Sequence, residues 1–63
     1  MYFKELDIVK LRKDYLIAKA GAIGTVLFCF SYPMMAYEVE FFDDTGYSKG
    51  SCAILPCDLE LVE

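Results

Sequence analysis

The spacing of apolar and polar residues changes along the chain, and each change marks an element. Over Asp7-Ile8-Val9-Lys10-Leu11-Arg12, Val9 and Leu11 fall on one side and Lys10 and Arg12 on the other. That period of two is the mark of a half-buried strand. The cleanest alternation is Ala36-Tyr37-Glu38-Val39-Glu40-Phe41-Phe42, with Tyr37, Val39 and Phe41 inward and Glu38 and Glu40 toward water. Between these, Thr25–Phe30 is apolar on both sides. Val26, Phe28 and Phe30 are expected on one face and Thr25, Leu27 and Cys29 on the other, as in a central or covered strand. Tyr47–Leu55 predicts a fourth strand with a weak spot at Gly50, and Pro56 ends it. Cys57–Val62 predicts a last short strand, opening with a single 3₁₀ turn over Pro56–Leu59.

The connections carry their own signals. Lys13–Ala22 reads as a loop whose Leu16-Ile17 pair either folds back over the core or supplies an interface. Gly21 sits where a tight turn requires positive φ, and Gly24 where a strand bends or another backbone comes close. Pro33, in Ser31-Tyr32-Pro33-Met34-Met35, forbids a continued ladder, and the two methionines are expected to pack the loop. Asp43-Asp44-Thr45-Gly46 is a turn, with Gly46 in the left-handed region and the aspartates bonding nearby backbone. Tyr2 and Phe3 are available to close one end of a core. The interior candidates are Val9, Leu11, Ile23, Val26, Phe28, Tyr37, Val39, Phe41, Ile54 and Leu59. Five short strands and no amphipathic helix of useful length predict an all-β fold, a small five-stranded SH3-like partly open barrel forming one domain over residues 1–63.

Composition sharpens this picture. A chain of 63 residues hides only about 60% of the surface that its unfolded form exposes. Yet 57% of its residues are apolar, against roughly 45–50% in ordinary soluble domains. The surplus cannot all fit inside, so some is expected on the surface, where contiguous apolar area marks an interface. A protein partner or a homodimer follows.

The net charge of −4 is unevenly placed. Before residue 20, Lys4, Lys10, Arg12, Lys13 and Lys19 stand against Glu5, Asp7 and Asp14, and after it Lys49 stands against Glu38, Glu40, Asp43, Asp44, Asp58, Glu60 and Glu63. Nucleic acid needs the opposite field, so RNA or DNA is not expected. A basic protein partner is favoured by steering.

Several chemistries lack their parts. The chain has no His, and therefore no general base that titrates near neutrality. Glu38 and Glu40 leave the same side of one strand, and Asp43 and Asp44 belong to a turn, so neither pair opposes another across a cleft. Gly21 and Gly24 lead into a strand rather than a helix, which is not a phosphate loop. Cys29, Cys52 and Cys57 form an odd set whose spacing is not that of a zinc knuckle. With no apolar leader at the start, the expectation is reduced thiols in the cytoplasm and no cofactor or metal. The uncharged stretch Ala20–Tyr37 reaches the lower limit for a membrane span, but Gly21, Gly24, Ser31 and Pro33 interrupt it, and two strands with a turn explain the same residues.

The segments Phe3–Val9, Lys19-Ala20-Gly21 through Gly24-Thr25-Val26, Ala36–Phe41 and Asp58-Leu59 together resemble a family of small, uncharacterised bacterial proteins, catalogued as a domain of unknown function. The resemblance covers nearly the whole chain and implies an SH3-like barrel. Some members are similar to proteins encoded beside toxin genes, which implies immunity or antitoxin roles. No catalytic residues come with it. This chain departs from the family pattern at Tyr15-Leu16-Ile17, where a polar loop is usual, and at Ala22, where an acid is usual.

The resulting expectation is a non-catalytic protein-binding module, of the immunity or antitoxin type, that occludes a basic toxin. Glu38, Glu40, Asp43 and Asp44 would steer the encounter, and Tyr15, Leu16, Ile17 and Tyr32 would anchor it. A structural homo-oligomer and a nucleic-acid-binding barrel of the KOW kind are the alternatives.

Overall fold

A computed structural model describes residues 3–62. Its strands are β1 (Ile8–Leu11), β2 (Ile23–Phe30), β3 (Ala36–Phe42), β4 (Ser48–Ile54) and β5 (Leu59–Leu61), with one 3₁₀ turn at Pro56–Asp58 before β5. They form a single antiparallel sheet in the order β4-β3-β2-β1-β5. The sheet curls around its core without closing, so β4 and β5 are its borders. This is the all-β, partly open barrel that the alternation predicts.

The inner face buries Val9, Leu11, Val26, Tyr37, Val39, Phe41, Ile54 and Leu59. Phe3 completes it: its ring meets Tyr37 edge to face at 5.2 Å, and its N–H donates to the Tyr37 hydroxyl at 2.9 Å. That bond satisfies a phenol with no exposure to water, which would otherwise be a buried polar orphan. Tyr2 lies outside the described residues.

Two interior assignments are corrected: Ile23 and Phe28 lie on the outer face, 45% and 44% exposed. Ile23 is three residues before the inward Val26 and so faces outward by plain alternation, whereas Phe28 is displaced by a bulge. Val26 pairs with Val39, but Phe28 pairs with Glu38, so Leu27 is an extra residue on β2. Before it, Gly24 and Val26 face inward and Ile23 outward. After it the parity reverses, and Phe28 and Phe30 join Glu38 on the outside.

The glycines behave as their positions demand. Gly21 has φ +96° and Gly46 φ +91°, each in a turn. Leu6 also sits in the left-handed region, at φ +72°, in a turn closed by Asp7 N–H to Lys4 C=O at 3.0 Å. The Lys4 N–H returns a bond to Asp7 Oδ2 at 2.9 Å, and that bond is the main reason the Asp7 carboxyl titrates below its usual range. A side chain at such φ costs roughly 1–2 kcal/mol. Because Leu6 is largely exposed, little packing offsets that strain. Leu6→Gly is therefore expected to stabilise the domain by about 1 kcal/mol in urea unfolding, after the entropy of the new glycine is subtracted. A destabilised variant would show that the exposed leucine is packed better than its accessibility implies.

Candidate functional site

The outer face of the sheet carries the surplus apolar residues, and the pairing of the strands gathers them. Phe30 pairs with Ala36, and Glu38 pairs with Phe28 on one side and Ala53 on the other. The β2–β3 connection folds over this corner, with a cis peptide between Tyr32 and Pro33. Together Phe30, Tyr32, Pro33, Met34 and Leu55 wall a groove of about 360 Å³ floored by Ala36 and Ala53. Phe28 extends it, its ring edge-to-face with Phe30 at 5.0 Å. Tyr32 stands 87% exposed at its rim.

Glu38, paired with Ala53, stands next to this groove, and Glu40 follows two residues along the same face of β3. Glu38 accepts from Ser51 Oγ at 2.6 Å, and Glu40 accepts from Ser48 Oγ at 2.7 Å. The hydroxyls orient both groups but leave their charge unneutralised, since the ion pair among the described residues is Lys4–Asp7. Nearby burial, with Glu38 adding its charge, pushes the Cys52 thiol above its usual range and keeps it protonated at neutral pH.

The proposed anchors and steering groups separate into three places. Tyr32, Glu38 and Glu40 share the groove face. Asp43 and Asp44 lie in the β3–β4 turn, at the opposite end of β3 from Ala36. There Asp43 Oδ1 accepts from Thr45 N–H, Thr45 Oγ1 and Tyr47 N–H at 2.9, 2.7 and 3.0 Å. Those bonds, that from the Thr45 hydroxyl foremost, hold its carboxyl below the usual range. The negative charge of this turn remains, but the carboxylate of Asp43 is committed to shaping it.

Tyr15, Leu16 and Ile17 occupy the β1–β2 loop. Leu16 is fully exposed, whereas Tyr15 and Ile17 are half-buried against the core. The Tyr15 hydroxyl donates to Asp58 Oδ2 at 2.7 Å and accepts from Leu55 N–H at 3.2 Å. Burial, followed by the bond to Asp58, pushes its pKa above the ordinary 10.0. Tyr15 thus fastens the loop to the 3₁₀ turn and fixes Leu55, a wall of the groove. It is not the exposed aromatic that the sequence suggests.

A second depression, about 850 Å³ and wide open, lies between Ile23, Phe42 and the Asp43–Thr45 turn. Its lining is mixed in polarity and holds no convergent constellation.

Comparison with known protein families matches residues 5–61 to the family described as Domain of unknown function (DUF4926). The chain belongs to the DUF4926 family. No curated protein matches the chain, and no solved structure does. The outer-face groove of this DUF4926 domain is built from β2, β3, β4, the β2–β3 connection and Leu55. Of the groove's walls the sequence pattern singles out Tyr32 and misses Phe30, Pro33, Met34 and Leu55. Their segments are brought together by the β2–β3–β4 pairing rather than by any local pattern.

Proposed function

We propose that this DUF4926 domain is a non-catalytic, cytoplasmic protein-binding module with the architecture of an SH3-like barrel, docking its partner on the outer face of the sheet. The observation that carries this reading is the apolar groove walled by Phe30, Tyr32, Met34 and Leu55 on the sheet face that also carries Glu38 and Glu40. An apolar centre with a charged rim is the usual anatomy of a protein interface. Tyrosine at such a rim is a favoured anchor. The mechanism is occlusion: Glu38 and Glu40 steer a basic surface, the groove seals against it, and the partner's own site is covered. That is how an immunity or antitoxin-type inhibitor of a basic toxin acts.

Capture from the native host tests the reading. The wild-type domain is expected to retain one stoichiometric protein that Phe30→Asp/Tyr32→Asp loses. A bare domain, or retention unchanged by the two substitutions, contradicts it. With that partner in hand, Glu38→Lys/Glu40→Lys is expected to slow association by about tenfold at low salt and to flatten its salt dependence. An unchanged rate removes the steering role. Self-association is the second reading, motivated by the unpaired border of β4, and sedimentation at high concentration measures it directly. Nucleic acid fits this face poorly, because Glu38 and Glu40 dominate its charge.

A further inference from the structure

The groove ends on β4, and among the described residues β4 has no strand on its far side. Its free backbone groups can be assigned from the bonds around it. Leu55 N–H donates to Tyr15 Oη, away from β3. Residues of an antiparallel strand alternate in the side to which their N–H and C=O point. The β3–β4 register is regular from Ser51 to Ile54, so the N–H and C=O of Ser51 and Ala53 also point off the sheet.

The opposite end of the sheet gives the same parity. Val26 N–H donates to Asp7 C=O, so Val26 faces β1 and Thr25 faces β3, where it pairs with Glu40. Val39 then faces β4 and pairs with Cys52, which leaves Ser51 and Ala53 facing outward.

Sheet borders are ordinarily protected by lysine, bulges and proline. All three occur here, but at the ends. Lys49 is the extra residue of a bulge beside Gly50, whose φ is +100°, and Pro56 follows beyond Leu55. Between them Ser51-Cys52-Ala53 carries no such device.

The outward side chains there are small. Ser51 lies opposite Glu40 and Ala53 opposite Glu38. A strand added beside β4 would stand two strand spacings from β3, roughly 9–10 Å. Long side chains on it could cross the small residues of β4 to reach both carboxylates, with their stems lying on the apolar floor.

We infer that the Ser51–Ala53 edge of β4 takes up an extended segment of the partner as an added strand, cationic at the alternate positions that face Glu38 and Glu40. The inference rests on the protein-binding reading and specifies the partner's conformation and chemistry. A second copy is the poorer occupant. Its β4 would bring Lys49 alone, together with a net charge of −4 and a second pair of glutamates.

The test uses the whole domain and two short capped peptides, one alternating arginine with valine and the other glutamate with valine, followed by amide NMR. The arginine peptide is expected to shift and protect the Ser51 and Ala53 amides and to bind at least about tenfold more tightly than the glutamate peptide. Ala53→Pro removes an N–H that lies outside the β3 ladder, so it is expected to abolish binding while the fold persists. Glu38→Gln/Glu40→Gln, which leaves the backbone untouched, is expected to erase the preference for arginine. Shifts that avoid Ser51 and Ala53 up to millimolar arginine peptide overturn the inference, as does equal binding by Ala53→Pro. A β4–β4 dimer abolished by Ala53→Pro also overturns it, in favour of self-pairing. If the host partner binds Ala53→Pro as it binds wild type but is lost by Tyr32→Asp, the edge assignment fails and the docking face stands. Loss of neither contact nor partner in any of these variants rejects both.

Discussion

Gly24→Ala is expected to lower the stability of the domain by about 3 kcal/mol or more, the upper end of what overpacking costs. Gly24 lies on β2 between Val9 of β1 and Phe41 of β3. A Cβ there would fall 2.6 Å from Val39 Cγ1, 2.8 Å from the Glu40 carbonyl oxygen and 2.9 Å from Phe41 Cδ1. Side chains can turn aside, but the carbonyl belongs to the backbone of β3, so the strand itself must move. Domains of this length have roughly 3–9 kcal/mol in total, which makes this one methyl group a threat to folding. Gly21 provides the contrast. It has φ +96° but nothing within 4 Å of a Cβ, so Gly21→Ala meets only the backbone penalty of roughly 1–2 kcal/mol. Urea unfolding followed by circular dichroism is expected to rank Gly24→Ala well below Gly21→Ala. The reverse order would mean that close approach of β3 is not what requires Gly24.

Tyr15→Phe is expected to cost about 2 kcal/mol, because it breaks two hydrogen bonds at once, one of them to a charged group. The Asp58 carboxylate, on a residue 9% exposed, loses its 2.7 Å donor, and Leu55 N–H loses its acceptor. The pH dependence identifies the cause. The folded state raises the Tyr15 pKa above 10.0, so this contribution is whole below about pH 10 and is lost as pH rises through the folded value. Phenylalanine cannot ionise, so the variant's stability is expected to fall less steeply on the alkaline side. Asp7 and Asp43 titrate below the ordinary 3.8, so their contributions are present above it and vanish as pH falls through their lowered values. An unchanged alkaline slope in Tyr15→Phe would separate the hydroxyl from stability.

The strands whose two faces differ in polarity were legible in the sequence, and the one without that contrast was misread. β3 alternates cleanly and β1 does so apart from Ile8, and their inward residues Val9, Leu11, Tyr37, Val39 and Phe41 are buried as expected. β2 is apolar on both sides, so the one-residue slip introduced by Leu27 leaves no trace in its pattern, and Phe28 is assigned to the wrong face. The 3₁₀ turn and the left-handed Gly21 and Gly46 were carried by Pro56 and by the turn residues themselves.

The site was only partly legible for a related reason. Surface surplus could be inferred from composition, but its location depends on pairing between segments far apart in the chain. That pairing puts Tyr32 on the same face as Glu38 and Glu40. It leaves Asp43 and Asp44 at the other end of β3 and uses Tyr15 as a fastener. The clue to Tyr15 was Asp58, a carboxylate next to the core residue Leu59 that needs a donor once the chain folds.

The most direct test of the docking face is hydrogen–deuterium exchange of the domain alone and bound to the protein it captures from its host. Slowed exchange is expected at Phe28–Phe30, Ala36 and Ser51–Leu55, with the Asp43–Gly46 turn and the loop around Leu16 unaffected. Protection confined to that turn or that loop, with the groove exchanging as in the free domain, would contradict it.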